Sequence, residues 1–408
     1  MRARWLCLAA LAAAVPAVAG CGGVGISGAS EATGNLAIYS SLPLQGPSAP
    51  ISREIVNGER LALSQAGGQV GPLKVGYVSL DDANPKTGEL DPAATSTDAR
   101  TAAQDTSTIA YLGELGSEAT AVSLPLINAA GILQVSPGSP YIGLTSSLDA
   151  GQDEPERFYP SGNRNFGRLA LGDGAQAIAQ AKLMRSLGVR KLFVLDDQNP
   201  FEVPLAQLVA TEAERTGVAV AAHDSIVTTP GSVFTGEVEK ITRSGAQAVF
   251  FAGGGGAGTV TLWRALQRAD PHLLLLGSSA LAGEAFTSAI GPAGASTYLT
   301  TPLLAPSEYP PAAARVLKDY RRQFGGQPGA YALYGFEAMS VVLDAIRRAG
   351  SHGNDRQAVI DRFFATANRD SVLGRYSMQA DGETTLSRYG VDRIVAGRAQ
   401  FYRALDVR

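Results

Sequence analysis

Hydrophobic positions along the chain follow two alternating periods. Apolar runs of strand type cover residues 36–40, 73–80, 109–113 and 132–135, and stretches with apolar residues three and four apart lie between them. In the first helical stretch Ile51, Ile55, Ala62 and Ala66 form the stripe, which runs through Asn57-Gly58 and stops at Gly67-Gly68. Helices are also expected over 92–106 and 118–130, the second kinked by Pro125. From 147 to 167 the chain turns polar and rich in Pro and Gly, which reads as a crossing to a second set of elements. That set has helices over 173–187, 203–216, 233–244 and 259–269, and strands over 191–195, 218–226, 248–252, 273–276 and 297–304. Helices over 311–324, 332–349 and 355–365 follow, and residues 372–408 read as short strands. Strand–helix alternation of this kind predicts an α/β class with parallel sheets and right-handed crossovers.

Two turns in the first set carry candidate chemistry. The turn 114–117 ends at Ser117, which reads as the N-cap of the next helix, its hydroxyl satisfying an orphan amide. That helix start offers N–H groups and partial positive charge. Thr120, three residues on, puts a second hydroxyl at the same end; simple capping is the alternative that needs no ligand. The turn 136–140, Ser-Pro-Gly-Ser-Pro, should lie at the same carboxyl edge, where open α/β sheets bind ligands. Together they suggest a pocket for a small polar or anionic ligand.

The motifs GSEAT (116–120), AAG (129–131) and SPGSP (136–140), with TPLL (301–304) and YALYGFEAM (331–339), resemble the branched-chain amino-acid binding proteins, type I periplasmic binding proteins that serve ABC importers. The resemblance implies a two-lobed Venus-flytrap fold, each lobe a mainly parallel sheet flanked by helices, joined by three hinge crossings. Lobe 1 would comprise 36–158 and 302–371, and lobe 2 would comprise 159–301 and 372–408. It also implies a binding protein, not an enzyme, that captures a small ligand between the lobes and hands it to importer permease subunits. A ligand-sensing protein that modulates a partner receptor without transport is the alternative. Ligand contacts carried over to this chain fall on Ser117, Thr120, Gly138 and Ser139, with Leu42 in the turn-rich loop after the first strand. Phe201 stands where the family commonly places a tyrosine over the ligand; loop packing is its other reading. Gly254 falls near a family aromatic, so that wall is missing and the pocket is larger. Ser279 stands where amino-acid binders have an acid that neutralises the α-ammonium, and Pro140 where they have threonine. A buried ammonium without a partner costs several kcal/mol, so these departures argue for a ligand other than an ordinary amino acid.

The 408 residues leave room for about two or three domains. Apolar content of 45% and charged content of 17% are ordinary for a globular chain. A net charge of -3 with no basic stripe speaks against nucleic acid. Arg2 and Arg4 precede an apolar run over 5–19, too short and Ala-rich to span a bilayer, so 1–20 reads as a signal peptide. It closes on Val18-Ala19-Gly20-Cys21, similar to the bacterial lipobox, in which the cysteine is acylated. Cys21 is therefore the candidate lipidation site and 21–35 a flexible tether; an ordinary signal peptide with an accidental cysteine is the rival. Loss of 1–20 would take the formal charge from -3 to -5 and remove Cys7, leaving no disulfide and no cysteine chemistry beyond Cys21. The expectation is an extracytoplasmic monomer anchored by lipid at the membrane surface.

Other motifs are weaker. Gly253 to Gly258 satisfies G-x-G-x-x-G between a strand and a helix, yet Ser278-Ser279 stand where a ribose-binding acid would follow; close backbone packing is the preferred reading. His223, His272 and His352 are far apart, so no metal site is expected. No G-x-S-x-G elbow occurs. Asp81-Asp82 and Asp196-Asp197 end strands near the crevice and read as loop or helix caps rather than acid/base pairs. Arg164 reads either as a second-lobe anion contact or as a solvated hinge residue. No catalytic residue and no cofactor is assigned.

Overall fold

The structure is a computed structural model and describes residues 34–148 and 150–408. The signal-peptide and lipidation readings, Cys21 included, lie outside those residues. In chain order the elements are β1 (Gly34–Leu42), α1 (Ala49–Gln65), β2 (Gln69–Val70), β3 (Leu73–Asp81), α2 (Pro92–Gln104), β4 (Thr108–Leu112), α3 (Ser117–Ala129), β5 (Leu133–Ser136) and β6 (Phe166–Arg168). There follow α4 (Asp173–Ser186), β7 (Lys191–Asp196), α5 (Val203–Arg215), β8 (Ala219–Ser225), α6 (Thr235–Ser244), β9 (Ala248–Ala252), α7 (Ala257–Ala269), β10 (Leu274–Ser278), α8 (Glu284–Ala289) and β11 (Thr297–Thr301). The chain ends with α9 (Pro311–Phe324), α10 (Tyr331–Ala349), α11 (Arg356–Phe364), β12 (Arg369–Asp370), β13 (Arg375–Tyr376), β14 (Arg388–Val395) and β15 (Arg398–Asp406).

Two sheets organise the molecule. The first has the order β2-β3-β1-β4-β5-β6 and is parallel except for β2. The second has the order β15-β14-β11-β10-β9-β7-β8, parallel except at β14 and β15. The central strands β4, β7, β9 and β10 are buried on both faces and read as continuous apolar runs, whereas β3 and β15 alternate along much of their length. On β1, Leu36 and Ile38 face a core shared with α9, α10 and α11, whereas Ala37 and Tyr39 face α2 and α3. On β9, Ala248 and Phe250 pack towards α4 and α5, and Val249 and Phe251 towards α6, α7 and α8.

The chain passes between the sheets three times, over 169–172, 302–310 and 377–387. This is a two-lobed α/β fold with three crossings. Phe166–Arg168 pairs with β5, so the chain leaves the first sheet after Arg168, later than the polar run over 147–167 suggested. The strand expected over 297–304 stops at Thr301 because Pro302 follows. α1 continues through Asn57-Gly58, for a reason that lies in its partner. A Cβ on Gly58 would strike the backbone carbonyl of Ala332, and one on Gly335 would strike that of Ile55. The pair of glycines lets α1 and α10 cross backbone to backbone. Beside that crossing Glu59 is fully buried, its Oε2 accepting a 2.5 Å hydrogen bond from Tyr77.

Candidate functional site

β4 and β5 are neighbours, so the turns that follow them emerge side by side at the carboxyl edge of the first sheet. The N-cap of α3 is Gly116, with no side-chain cap, and Ser117 is the first helical residue. The expectation of a Ser117 cap is thus corrected by one position: its Oγ accepts from the amide of Tyr141 at 3.0 Å, a use that fixes the second turn rather than the helix end. Thr120 Oγ1 accepts from the Glu114 amide at 3.3 Å and lies 2.7 Å from Ser139 Oγ. Ser139 Oγ in turn donates to the Glu114 carbonyl at 3.0 Å, and Ser136 Oγ donates to the same oxygen at 2.7 Å. Ser139 has φ +52, and a Cβ on Gly138 would meet the Leu115 carbonyl. The two turns are therefore locked by their own hydroxyls. What they leave for a ligand is the first-turn amides of α3, whose orphan N–H groups Gly116 has no side chain to cap.

Beneath the turns lies a buried acid pair. Glu114 accepts from Tyr111 Oη at 2.6 Å, and Ser41 Oγ donates to Asp98 at 2.9 Å. Burial and the neighbouring Asp82 hold the Glu114 carboxyl well above its ordinary range, and burial pushes Asp82 up to about 6. Burial and the Asp82 charge thus both favour the protonated form of Glu114. Asp81 accepts from the amides of Leu44 and Ala83 and from Gln45, so it braces the loop after β1. The capping reading of Asp81 fits those bonds; that of Asp82 does not, because its carboxyl faces inward.

The second sheet contributes the opposing edge. The loop after β7 sets Phe201 edge-on to Tyr141, with ring centroids 5.0 Å apart at 74°. Asn199 Nδ2 donates to Glu118 Oε1 at 2.9 Å, across the gap between the lobes. Asp197 accepts from the Gly254 amide at 3.0 Å and so ties this loop to the glycine run. Gly254 is exposed, with nothing within 4 Å of the place its Cβ would occupy. Burial, Asp197 and Glu118 push the Glu202 carboxyl up to about 7, and its Oε2 is sealed from solvent without a hydrogen-bond partner.

The structure thus brings together Ser117, Thr120, Gly138 and Ser139, with Phe201 closing on Tyr141 and Gly254 linked through Asp197. Leu42 is buried in an apolar cluster with Ile55 and Val56, against which Leu115 of the first turn packs. Ser279 opens a short 3-10 turn at the end of β10, half-buried. Arg164 stacks 4.1 Å over the Tyr159 ring and lies 3.6 Å from Glu156. In the glycine run Gly256 caps α7, and Gly258 packs against the Thr228 carbonyl, so the run serves close packing. Among the described residues no group of three or more His, Cys, Asp or Glu could hold a metal ion. Tyr141, Asn199 and Glu202 were not singled out in the sequence, since contacts between distant segments bring them to the site.

Comparison with known proteins returns one family profile, described as periplasmic binding protein, which matches residues 40–398. No curated protein matches the sequence. Among solved structures, the leucine-binding protein LivK of Thermotoga maritima is similar at 19% identity and a TM-score of 0.73, covering 91% of this chain and 99% of that one. LivJ of Streptococcus pneumoniae, a branched-chain amino acid transporter substrate-binding protein solved with isoleucine, is similar at 17% and 0.70, covering 91% and 100%. A solute-binding protein of R. palustris solved with benzoate is similar at 16% and 0.67, covering 91% and 96%. At these identities the likeness establishes a shared fold.

Proposed function

The chain belongs to the periplasmic binding protein family, and from that premise we propose that it is an extracytoplasmic solute-binding lipoprotein. Lipid on Cys21 would anchor it, and it would deliver a small polar ligand, an amino acid or a related carboxylate or amide, to an ABC importer. It works as a monomer without a catalytic step. Its lobes meet at the crossings over 169–172, 302–310 and 377–387 and close over the ligand by hinge motion. Closure is the state the permease recognises, and ligand contacts with both lobes stabilise it.

The observation that carries this reading is the pair of turns locked at the first sheet's carboxyl edge, facing Phe201 and Asn199 of the other lobe. First-turn amides of α3 suit a carboxylate or carbonyl oxygen. Ser279 offers no negative charge, but Glu118, Asp197 and Glu202 stand on the two sides of the same gap. They take over the role of an ammonium partner, which favours ligands bearing an amino group.

Thermal shift against amino acids, amides and small carboxylates tests the proposal, because a ligand that binds only the folded state raises the melting temperature by mass action. Stabilisation by amino-bearing compounds is the expected result. Stabilisation by carboxylates alone would keep solute binding and reject the ammonium role. No stabilisation across a broad library would reject solute binding in this crevice.

A further inference from the structure

Away from the crevice, the three crossings together enclose a cavity of about 340 Å³. Leu171 reaches it from the first crossing, Pro302 and Leu304 from the second, and Leu386 from the third. Leu373 and Tyr309 continue this apolar wall, and Thr385, Ser387 and Glu308 supply a polar side to the cavity. The wall is braced by Tyr334, which donates to the Pro302 carbonyl at 2.8 Å, and by Tyr309, whose hydroxyl accepts from the Leu304 amide at 3.0 Å.

Two guanidinium groups stand at the rim, and they are not equivalent. Arg388 is committed to Glu308, donating to its carbonyl at 2.9 Å and pairing with its carboxylate. Arg375 is not: its partner Asp370 is 3.9 Å away, and both side chains are largely exposed. A pair so open contributes little and gives way readily. The cavity therefore combines an apolar wall, a polar side and one uncommitted planar cation, which suits bidentate capture of a carboxylate. Its volume falls within the range of small-molecule sites.

We propose that this cavity is a second binding site, for a small monocarboxylate with an apolar body, and that its occupancy biases lobe closure. The coupling follows from the lining. Hinge motion shifts the crossings relative to one another, so a molecule touching all three binds the open and closed forms unequally and shifts their balance by that difference. The site is independent of the crevice and would serve as an effector site.

The test uses benzoate as probe and benzylamine as its cationic counterpart, titrated calorimetrically into four proteins: wild type, Arg375→Glu, Leu386→Trp and Gly254→Trp. Arg375 is exposed, so its reversal leaves folding intact; Leu386→Trp fills the cavity, and Gly254→Trp obstructs the crevice. Benzoate should bind wild type and Gly254→Trp alike, and at least tenfold more weakly to Arg375→Glu and Leu386→Trp. Benzylamine should bind Gly254→Trp, whose crevice is obstructed, at least tenfold more weakly than benzoate. Solution scattering should show the radius of gyration changing with benzoate in Gly254→Trp but not in Arg375→Glu. No benzoate binding at millimolar concentration overturns the site, as does binding that Gly254→Trp abolishes or that Arg375→Glu leaves unchanged. Binding without a change in radius overturns the coupling.

Discussion

Glu59 offers the sharpest test of how burial governs this molecule. It sits in α1 under the first sheet with no exposed surface; Tyr77 donates to its Oε2, while its Oε1 and the nearby Ser40 Oγ both lack partners. Burial pushes the carboxyl from 4.5 up to about 8, against the pull of Tyr77 and Arg60. Below about pH 4.5 the folded and unfolded chains both hold the proton, and Glu59 has no effect. Between there and about pH 8 the folded chain keeps a proton the unfolded chain has lost, so stability falls as pH rises. Above about pH 8 the full penalty is present. At about 1.4 kcal/mol per unit, that rise sets a ceiling of about 5 kcal/mol.

Glu59→Gln removes the ionisation, keeps an oxygen for Tyr77 and points an amide donor towards Ser40. Relaxation lowers the gain below the ceiling, to about 2 kcal/mol at pH 9, with near equality at pH 4. Thermal unfolding followed by circular dichroism from pH 4 to 9 should show the two melting temperatures diverging by several degrees as pH rises. A difference that stays flat with pH, or a variant less stable at pH 9, would refute the reasoning.

Other consequences can be checked by the same means. Arg168→Leu would strand Glu383 and strip donors from the Ser139 and Tyr141 carbonyls; an unfolding cost of about 3–5 kcal/mol is expected. Gly138→Ala would force the two turns apart at the Leu115 carbonyl, costing about 1–3 kcal/mol in a melt and weakening crevice ligands in a titration. Glu202 ionises near pH 7, so the affinity of an amino-bearing ligand should strengthen as pH rises through that value. In Glu202→Gln the calorimetric affinities at pH 6 and 8 should become equal.

Much of the fold was legible because its central strands are buried on both faces and several helices carry clear stripes. The run Ala248–Ala252 needs no tertiary information to read as a core strand. What escaped was either too short to have a period or paid for by distant partners. β6 is three residues long inside a polar run, and its Arg168 is fully buried. That burial is possible only because Ser139, Tyr141, Thr145 and Glu383 all receive its N–H groups. Composition reads such a residue as surface. At the candidate site the positions of both turns were visible, but not what their hydroxyls face. Ser117 looked like a cap and holds Tyr141 instead; Glu114 lies in a turn and yet is wholly buried. Glu118 and Asn199 are 81 residues apart, and no local pattern announces their contact.

The glycine crossing of α1 and α10 has a genetic consequence. A side chain added at Gly58 or Gly335 collides with main chain of the other helix, and main chain cannot be trimmed by any second substitution. Revertants of such a mutant should therefore restore glycine itself, while compensating changes elsewhere in the gene stay absent from the screen. A saturation library would show two positions on facing helices intolerant of even alanine, where the buried residues around them accept small side chains.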